Sequence, residues 1–246
     1  MSLRARVLSL ALLAGVVAVS SALAGSDTNS FTVTSSLDGK TVLPLRSHWI
    51  ADPQIDPSLG EVTEVDYFID GFHAWTTRQA PWYFGDDGNW LVTTFMKPGL
   101  HTFAVRAVTS DGQVANDKVT ARVIAAPRPP AKLAGAWTRI VSANDLKKGP
   151  PGPHAGRWTI TIGPIGWMTG DNQWLDVRYL PNSRIVIGPE IVDRPEQTGG
   201  FCGVDPLHTW KVTLAAHNKR MRLDPIGSDP CRDRVAVIQG TWTRIH

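Results

Sequence analysis

The chain has 246 residues, 42% hydrophobic and 19% charged, which is enough for two globular domains of about 100 residues each. Its 25 Lys and Arg residues outnumber its 22 Asp and Glu residues by three. Two of the arginines lie in an N-terminal segment that we expect to be cleaved, which leaves 23 cations against 22 anions. A nearly neutral chain without long basic runs lacks the positive face of nucleic-acid binders, so no nucleic-acid partner is expected.

Residues 1–24 have the pattern of a secretory signal peptide. Arg4 and Arg6 precede an apolar run at 7–19, and Ala-Leu-Ala at 22–24 has the A-x-A form of a cleavage site. The run is shorter than the roughly 20 apolar residues of a membrane-spanning helix, and no second hydrophobic stretch follows. We therefore expect a secreted, extracellular monomer with no membrane span.

The two cysteines, Cys202 and Cys231, are predicted to form a disulfide bond, because an even pair in an exported protein usually does. Closing a loop of about 29 residues would stabilise the fold by about 3.5 kcal/mol in the chain-entropy model. The alternative is a pair of free, buried thiols.

The mature chain is predicted to be all-β, in two domains. The proline-rich sequence AAPRPPAK at 125–132 cannot continue a strand ladder and is typical of a stiff linker between residues 27–124 and 133–246. Alternating polar and apolar residues recur on both sides, and no long segment after the signal peptide has the spacing of an amphipathic helix.

The first domain resembles the bacterial immunoglobulin-like modules of secreted proteins. The resemblance depends on VDYFIDG at 65–71, APWYFG at 80–85 and PGLHTFAVRAVTSDGQVA at 98–115. It implies a β-sandwich that acts as a spacer or adhesive unit. Seven strands are predicted, at 31–36, 41–50, 62–69, 72–76, 90–96, 101–109 and 113–123.

The sequence FGDDGNW at 84–90 leaves two interpretations open. Asp86, Asp87 and Asn89 carry oxygens that could bind Ca²⁺, but the further ligands of a full calcium loop are missing. Asp-Gly is also the sequence that a tight turn requires, and we favour the turn.

In the second domain the phrase Gly-x-Trp-Thr-Arg-Ile occurs twice, starting at Gly135 and Gly240. Eight antiparallel strands are predicted, and closing them into a barrel would make the first and last strands neighbours. The predicted strands are 134–141, 157–163, 165–169, 174–180, 184–188, 207–214, 220–224 and 234–244.

Because side chains alternate between the two faces of a strand, the tryptophan and the arginine of each copy lie on the same face. We therefore predict a structural role at the closure of the barrel for Trp137, Arg139, Trp242 and Arg244. We expect both indoles to point inward and to plug one end of the barrel. The arginines would lie across the rings, an interaction worth about 0.5–2 kcal/mol.

These motifs resemble those of the lipocalin and avidin-like barrels, the calycins, which carry Gly-x-Trp on the first strand and an arginine on the last. The resemblance implies a barrel that binds a small ligand. The chain departs from lipocalins because no C-terminal helix is predicted after its last strand.

Strand alternation predicts Trp158, Trp174, Tyr179 and Trp210 as ligand-binding residues inside the barrel, since aromatic rings stack on apolar or sugar rings. The alternative is a core filled by the same side chains. Two long loops, 142–156 and 193–206, are expected to frame an open end.

No nucleophile, phosphate-binding or zinc motif occurs, and the seven histidines have no metal-ligand spacing. The sequence therefore predicts a non-catalytic binding protein without cofactor or metal, whose partner is a small apolar or carbohydrate ligand. The alternatives are a structural protein of the cell envelope, with a filled barrel that binds polymer or protein, and an accessory module of a polysaccharide-degrading system.

Overall fold

The computed structural model describes residues 30–85, 90–147, 153–163, 167–170, 173–191 and 207–245. The predicted signal peptide and the Asp86-Asp87-Asn89 sequence lie outside these residues. The predicted all-β class is confirmed: within these residues, 17 strands account for most of the regular structure, beside short helices such as α1, Ala143–Leu146, and α2, Arg232–Ile238. No helix among the described residues is long and apolar enough to cross a membrane.

The first half contains one five-stranded sheet and two short two-stranded sheets. The strand order is β2-β9-β8-β5-β6 in the large sheet, with β1-β4 and β3-β7 as the small ones. The strands are β1 Phe31–Ser35, β2 Val42–Leu43, β3 Arg46–His48, β4 Ala51–Ile55, β5 Val62–Ile69, β6 Phe72–Thr77, β7 Trp90–Val92, β8 Gly99–Thr109 and β9 Val114–Val123.

The prediction of one strand at 41–50 was wrong. The chain divides there into β2, which pairs with β9, and β3, which pairs with β7 in a different sheet. Pro44 lies between them and has no N–H to donate to a ladder, so the chain changes sheets at this residue. The prediction also missed β4, which contains Pro53 and pairs with β1.

An aromatic cluster fills the core of this half. The fully buried ring of Trp49 lies 4.8 Å from that of Tyr67, 5.2 Å from Phe84 and 5.6 Å from Phe103. The Tyr67 hydroxyl donates to the carbonyl of Trp82 at 2.5 Å. Tyr67 lies on β5 and Phe103 on β8, whereas Trp49 and Phe84 lie between strands. The cluster therefore joins the large sheet to the irregular segments beside it.

A histidine–aspartate pair fixes the turn between β5 and β6. His101 Nδ1 lies 2.7 Å from the Asp70 carboxylate and Nε2 lies 2.7 Å from the carbonyl of Lys97. Burial alone would lower the pKa of His101, but the hydrogen bonds to Asp70 and Lys97 and the Asp70 charge together raise it above 6.5. The protonated ring can donate from both nitrogens to these two acceptors.

Because the folded-state pKa of His101 is raised, its stabilising contribution is complete below about pH 6.5 and is lost as the pH rises through the folded value. We expect the free energy of unfolding in urea to decrease above about pH 6.5 in the wild type. That slope should be reduced in both His101→Gln and Asp70→Asn. An unchanged slope in the two variants would show that the pair does not control this pH dependence.

In the second half, eight antiparallel strands form a closed barrel in chain order. Strands β10 and β17 complete the circle by pairing Ala136 with Ile245 and Trp137 with Arg244. The strands are β10 Gly135–Val141, β11 Gly156–Ile162, β12 Trp167–Gly170, β13 Gln173–Leu180, β14 Arg184–Glu190, β15 His208–Ala215, β16 Arg220–Pro225 and β17 Gly240–Ile245.

The prediction of a strand over 234–244 was wrong in its first part, because helix α2 precedes β17. The Cys231 sulfur accepts the N–H of Arg234 at the helix N-terminus, and Ala236, Val237 and Ile238 are buried. Val237 and Ile238 belong to the barrel core. Their adjacent apolar side chains are compatible with a strand, and contact with the end of the barrel selects the helix.

A buried ion pair joins the two halves across 130 residues of chain. The Arg46 guanidinium on β3 donates to the Asp176 carboxylate on β13, and Arg178 Nε lies 3.4 Å from the same oxygen. The side chain of Asp176 is completely buried and that of Arg46 is 9% exposed. Burial, opposed by the charge of Asp176, lowers the pKa of Arg46.

Candidate functional site

The two copies of the repeated phrase lie on neighbouring strands, and each arginine contacts the other copy. The Arg244 guanidinium carbon lies 4.2 Å from the centre of the Trp137 ring, and that of Arg139 lies 5.8 Å from the centre of the Trp242 ring. Both indoles are fully buried. The seam of the barrel is therefore built from two reciprocal arginine–tryptophan contacts.

The hydrogen bonds of the seam have the same reciprocity. Arg244 donates to the carbonyls of Ala134 and Lys132, one and three residues before Gly135, at 2.6 and 2.5 Å. Arg139 donates to the carbonyls of Gln239 and Val237, which hold the same positions before Gly240. Each arginine thus binds the backbone segment that leads into the neighbouring strand.

Glycine is required at the start of both copies because the guanidinium groups occupy the adjacent space. A Cβ atom would lie 2.9 Å from Arg244 Nη1 at Gly135 and 2.7 Å from Arg139 Nη1 at Gly240. Both glycines also have positive φ, +117° and +134°. Direct contact with the arginine, together with the backbone conformation, therefore selects glycine.

The second half contains a third Gly-x-Trp sequence, Gly156-Arg157-Trp158, which starts β11. Gly156 has φ +135°, and Trp158 Nε1 donates to the carbonyl of His154 at 2.9 Å. Trp137 and Trp242 likewise donate to the carbonyl four residues earlier, also at 2.9 Å. The short Gly-Arg-Trp sequence was the available signal for this third member, which the sequence analysis missed.

The expectation that Trp137 and Trp242 plug one end of the barrel was wrong. Because β10 and β17 are antiparallel, the two copies run in opposite directions and each arginine reaches a different end. Arg244 binds the linker end, and Arg139 binds the end that carries α1 and α2, where it also lies 3.0 Å from Asp145. The arginine of each copy thus binds backbone at a different end of the barrel.

The helical end of the barrel is covered in its described part. Arg234 in α2 is fully buried and forms two hydrogen bonds, of 2.8 and 2.7 Å, with Asp229. It also donates to the carbonyl of Ile187 on β14, which ties α2 to the far wall. The loops at 142–156 and 193–206 were expected to frame an open end here, but 148–152 and 192–206 lie outside the described residues.

A cavity of about 660 Å³ lies at the opposite, linker end of the barrel. Its walls are Pro130, Lys132 and Leu133 of the linker, residues between 179 and 185 of the β13–β14 hairpin, and residues 211–214 of β15. Arg244 fixes the linker wall through the carbonyl of Lys132. The volume is within the range of about 300–1,000 Å³ of small-molecule sites.

The four predicted ligand-binding residues are not brought together at this cavity. Tyr179 lines it, whereas Trp210 is fully buried in the core and Trp158 is 6% exposed and stacks on His154. The backbone of Trp174 lies in β13, and its side chain is outside the described structure. Alternation places Val212 and Leu214 on the inward face with Trp210, but sequence reasoning did not assign them or Leu133 to the ligand site, because alternation does not show at which end of a strand space remains.

Two buried polar atoms face the barrel interior without a hydrogen-bond partner among the described residues. They are the Tyr179 hydroxyl and Trp210 Nε1. Tyr179 pairs with Ile185, which in turn pairs with Trp210, so the three side chains lie side by side on β13, β14 and β15. An unpaired buried donor costs about 1–3 kcal/mol, so these two atoms are a local cost within the barrel core.

Cys231 is buried at the start of α2, and Cys202 lies outside the described residues, so the disulfide bond stays a prediction. We expect titration of the denatured, unreduced protein to detect no thiol, and titration after reduction to detect both. Two thiols before reduction would refute the bond.

No three His, Cys, Asp or Glu side chains within the described residues converge on a point that could hold a metal ion. The fold and the end cavity define an all-β protein with a closed antiparallel barrel that leaves space for a small molecule.

No protein family and no curated protein matches the chain. Similar solved structures include the fibronectin(III)-like modules of Clostridium thermocellum CbhA, with 11% identity over 82% of this chain and 87% of that chain and a TM-score of 0.30. Parabacteroides merdae β-glucuronidase has 11% identity over 82% of this chain and 24% of that chain, with a TM-score of 0.28. Similarity this low carries no argument, so the immunoglobulin-like and lipocalin-like assignments stay predictions.

Proposed function

We propose that the chain is a secreted, non-catalytic binding protein whose barrel holds one small apolar or ring-bearing molecule at its linker end. In this proposal the first half is an immunoglobulin-like spacer and the second is a lipocalin-like barrel. The observation that carries the proposal is the cavity of about 660 Å³ at the linker end of the barrel, which Tyr179 and several aliphatic side chains line.

The cavity walls favour an apolar ligand of limited size. Leu133, Ile185, Val212 and Leu214 supply aliphatic surface from three different segments of chain: the linker, β14 and β15. Burying apolar ligand surface against them would contribute about 25 cal/mol per Å² before the costs of association. A few polar groups then fix the orientation of the ligand, as in most small-molecule sites.

A packed barrel core favours the second candidate, a structural protein of the cell envelope that binds polymer or protein through its outer surface. Trp137, Trp210 and Trp242 are fully buried in one cluster with Met221 and Leu223. The middle of the barrel is thus closely packed by its own side chains, and a ligand would occupy only the linker end. An accessory role in polysaccharide breakdown remains the third hypothesis.

A titration with Nile red, a neutral ring-bearing dye, tests the binding function. We expect saturable fluorescence enhancement with one dye per chain, and its loss in Leu214→Trp, which fills the cavity. Leu100→Trp is the matched control, because Leu100 is 65% exposed in the first half and should bind like the wild type.

A second blocking variant covers the case in which Leu214→Trp does not fold. Leu180 lines the cavity and is 37% exposed, so Leu180→Trp should be tolerated and should also weaken dye binding. Equal dye binding by the wild type and both folded blocking variants would refute the proposed site.

A further inference from the structure

The outer wall of the barrel concentrates positive charge on strands β14–β17. Side chains alternate along each strand, so the residues between the buried Ile185, Val212 and Leu223 point away from the barrel interior. We call the outward residues of this wall the cationic face: Arg184, Lys211, Thr213, Ala215, Arg220, Arg222, Asp224, Thr241 and Thr243. Its four cations are all exposed, and Asp224 is its single carboxylate.

The strand register makes the cations neighbours. Lys211 on β15 lies directly opposite Arg184 on β14, where Cβ atoms are about 4.5–5.5 Å apart and like charges are destabilising. Lys211 also lies opposite Asp224 on β16, and Arg222 and Arg220 precede Asp224 by two and four residues on the same strand. Alternate residues of a strand are about 7 Å apart, so the positive charges form one continuous patch.

The carboxylate on the face leaves most of this charge unpaired. Both oxygens of Asp224 accept hydrogen bonds from Arg222, at 2.7 and 2.8 Å. Arg184, Lys211 and Arg220 form no ion pair with any residue that the structure describes. The chain thus retains a local repulsion that an anionic partner would offset.

Charge is also divided unequally between the two halves of the chain. Residues 27–124 contain 12 Asp and Glu residues against 7 Lys and Arg, whereas residues 133–246 contain 14 Lys and Arg against 10 Asp and Glu. A nearly neutral total therefore hides a positive barrel, and the spacing of the cations over three strands leaves no long basic run in the sequence. Such segregation steers anions to one side of a molecule.

Hydroxyl groups lie between the cations of the face. Thr213 and Thr241 are directly opposite Arg222, one on each side of it, and Thr243 is opposite Arg220. A threonine hydroxyl both donates and accepts hydrogen bonds. A face of interleaved cations and hydroxyls complements a polymer that carries carboxylates among hydroxyl groups.

The composition of the face is less suited to other polyanions. None of its residues is aromatic, whereas proteins that bind single-stranded nucleic acids stack bases on aromatic rings. A wall of four strands is broader than the helix or two-stranded ribbon that the major groove of DNA admits. The face also lacks the large apolar side chains that enter a lipid surface.

We propose that the cationic face binds an acidic polysaccharide. Carboxylates of the polymer contact Lys211, Arg220 and Arg222, and its hydroxyl groups contact the threonines between them. This surface is separate from the ligand inside the barrel, and it gives the polymer-binding candidate function a defined face and a partner class.

Calorimetric titration with an oligogalacturonate and with its methyl ester tests the proposal, because the two sugar chains differ only in the charge of their carboxyl groups. We expect the acid form to bind at least about tenfold more tightly than the ester, a difference that depends on the charged contacts. Added salt should weaken binding of the acid form, since exposed charges are screened.

A double variant identifies the charges responsible. Arg220→Gln with Arg222→Gln should weaken oligogalacturonate binding about tenfold, and neither residue lines the cavity, so Nile red binding should not change. Lys118→Gln with Arg122→Gln is the matched control, because it removes the same charge from exposed residues of β9 in the first half. Arg220→Gln alone breaks no ion pair and should weaken binding about threefold, which covers the case in which the double variant does not fold.

The outcomes separate this inference from the proposed function. Equal affinity for the acid and the ester, or an equal loss in the two double variants, would overturn the cationic face as a binding surface and leave the cavity untouched. Tighter binding of duplex DNA or of phosphatidylglycerol vesicles than of oligogalacturonate would overturn the choice of an acidic polysaccharide. Failure of Nile red to bind would remove the cavity ligand and leave this inference standing.

Discussion

Replacing Asp176 by leucine should lower the free energy of unfolding by about 3–5 kcal/mol, the usual cost of breaking a buried ion pair by removing one partner. The change leaves the guanidinium of Arg46, only 9% exposed, without its carboxylate and beside the positive charge of Arg178. Urea unfolding of the full chain measures the loss.

Removing both partners should restore most of this stability. The double variant Arg46→Met with Asp176→Leu replaces the ion pair by apolar groups, a change that is often neutral or stabilising. Arg178→Gln is the control: its side chain is 31% exposed, and its loss should cost less than about 1 kcal/mol. If Asp176→Leu stays within about 1 kcal/mol of the wild type, the ion pair does not hold the two halves together.

Gly240→Ala should destabilise the barrel by about 1–3 kcal/mol more than Gly156→Ala, the usual range for overpacking. The two glycines have nearly the same φ, +134° and +135°, so backbone strain is matched. The added methyl group lies 2.7 Å from Arg139 Nη1 at Gly240, whereas at Gly156 it lies 3.8 Å from the His154 ring, which is ordinary van der Waals contact. Comparing the free energies of unfolding therefore isolates the contact with the arginine.

A double-mutant cycle checks this explanation. Gly240→Ala should cost less when Arg139→Ala is already present, because the smaller side chain leaves room for the methyl group. If the costs of the two changes add, or if Gly156→Ala is equally destabilising, the arginine contact does not explain the glycine in the repeated phrase.

The strand pattern was largely predictable because alternation is local information. The segment Trp158-Thr159-Ile160-Thr161-Ile162 shows its two faces directly, and its apolar residues are buried. The prediction failed at Pro44 and at α2, where contacts distant in sequence decide the local structure. Intrinsic propensity and sequence periodicity are weak predictors of secondary structure where tertiary packing selects the conformation.

The site was less predictable than the fold. Tyr179 was predicted and lines the cavity, but Trp158 and Trp210 were predicted with it and lie in the barrel core instead. The location of the cavity depends on the linker, whose Lys132 carbonyl is bound by Arg244 more than a hundred residues away. No short sequence window contains that information.

Native mass spectrometry of the protein purified from its own host tests the proposed ligand site most directly. We predict a wild-type species heavier than the bare chain by the mass of one small molecule, which is released on denaturation and is absent from folded Leu214→Trp. The Leu100→Trp control should retain the added mass. If the folded wild type shows only the bare mass and takes up no Nile red, the claim that the barrel binds a small ligand is wrong.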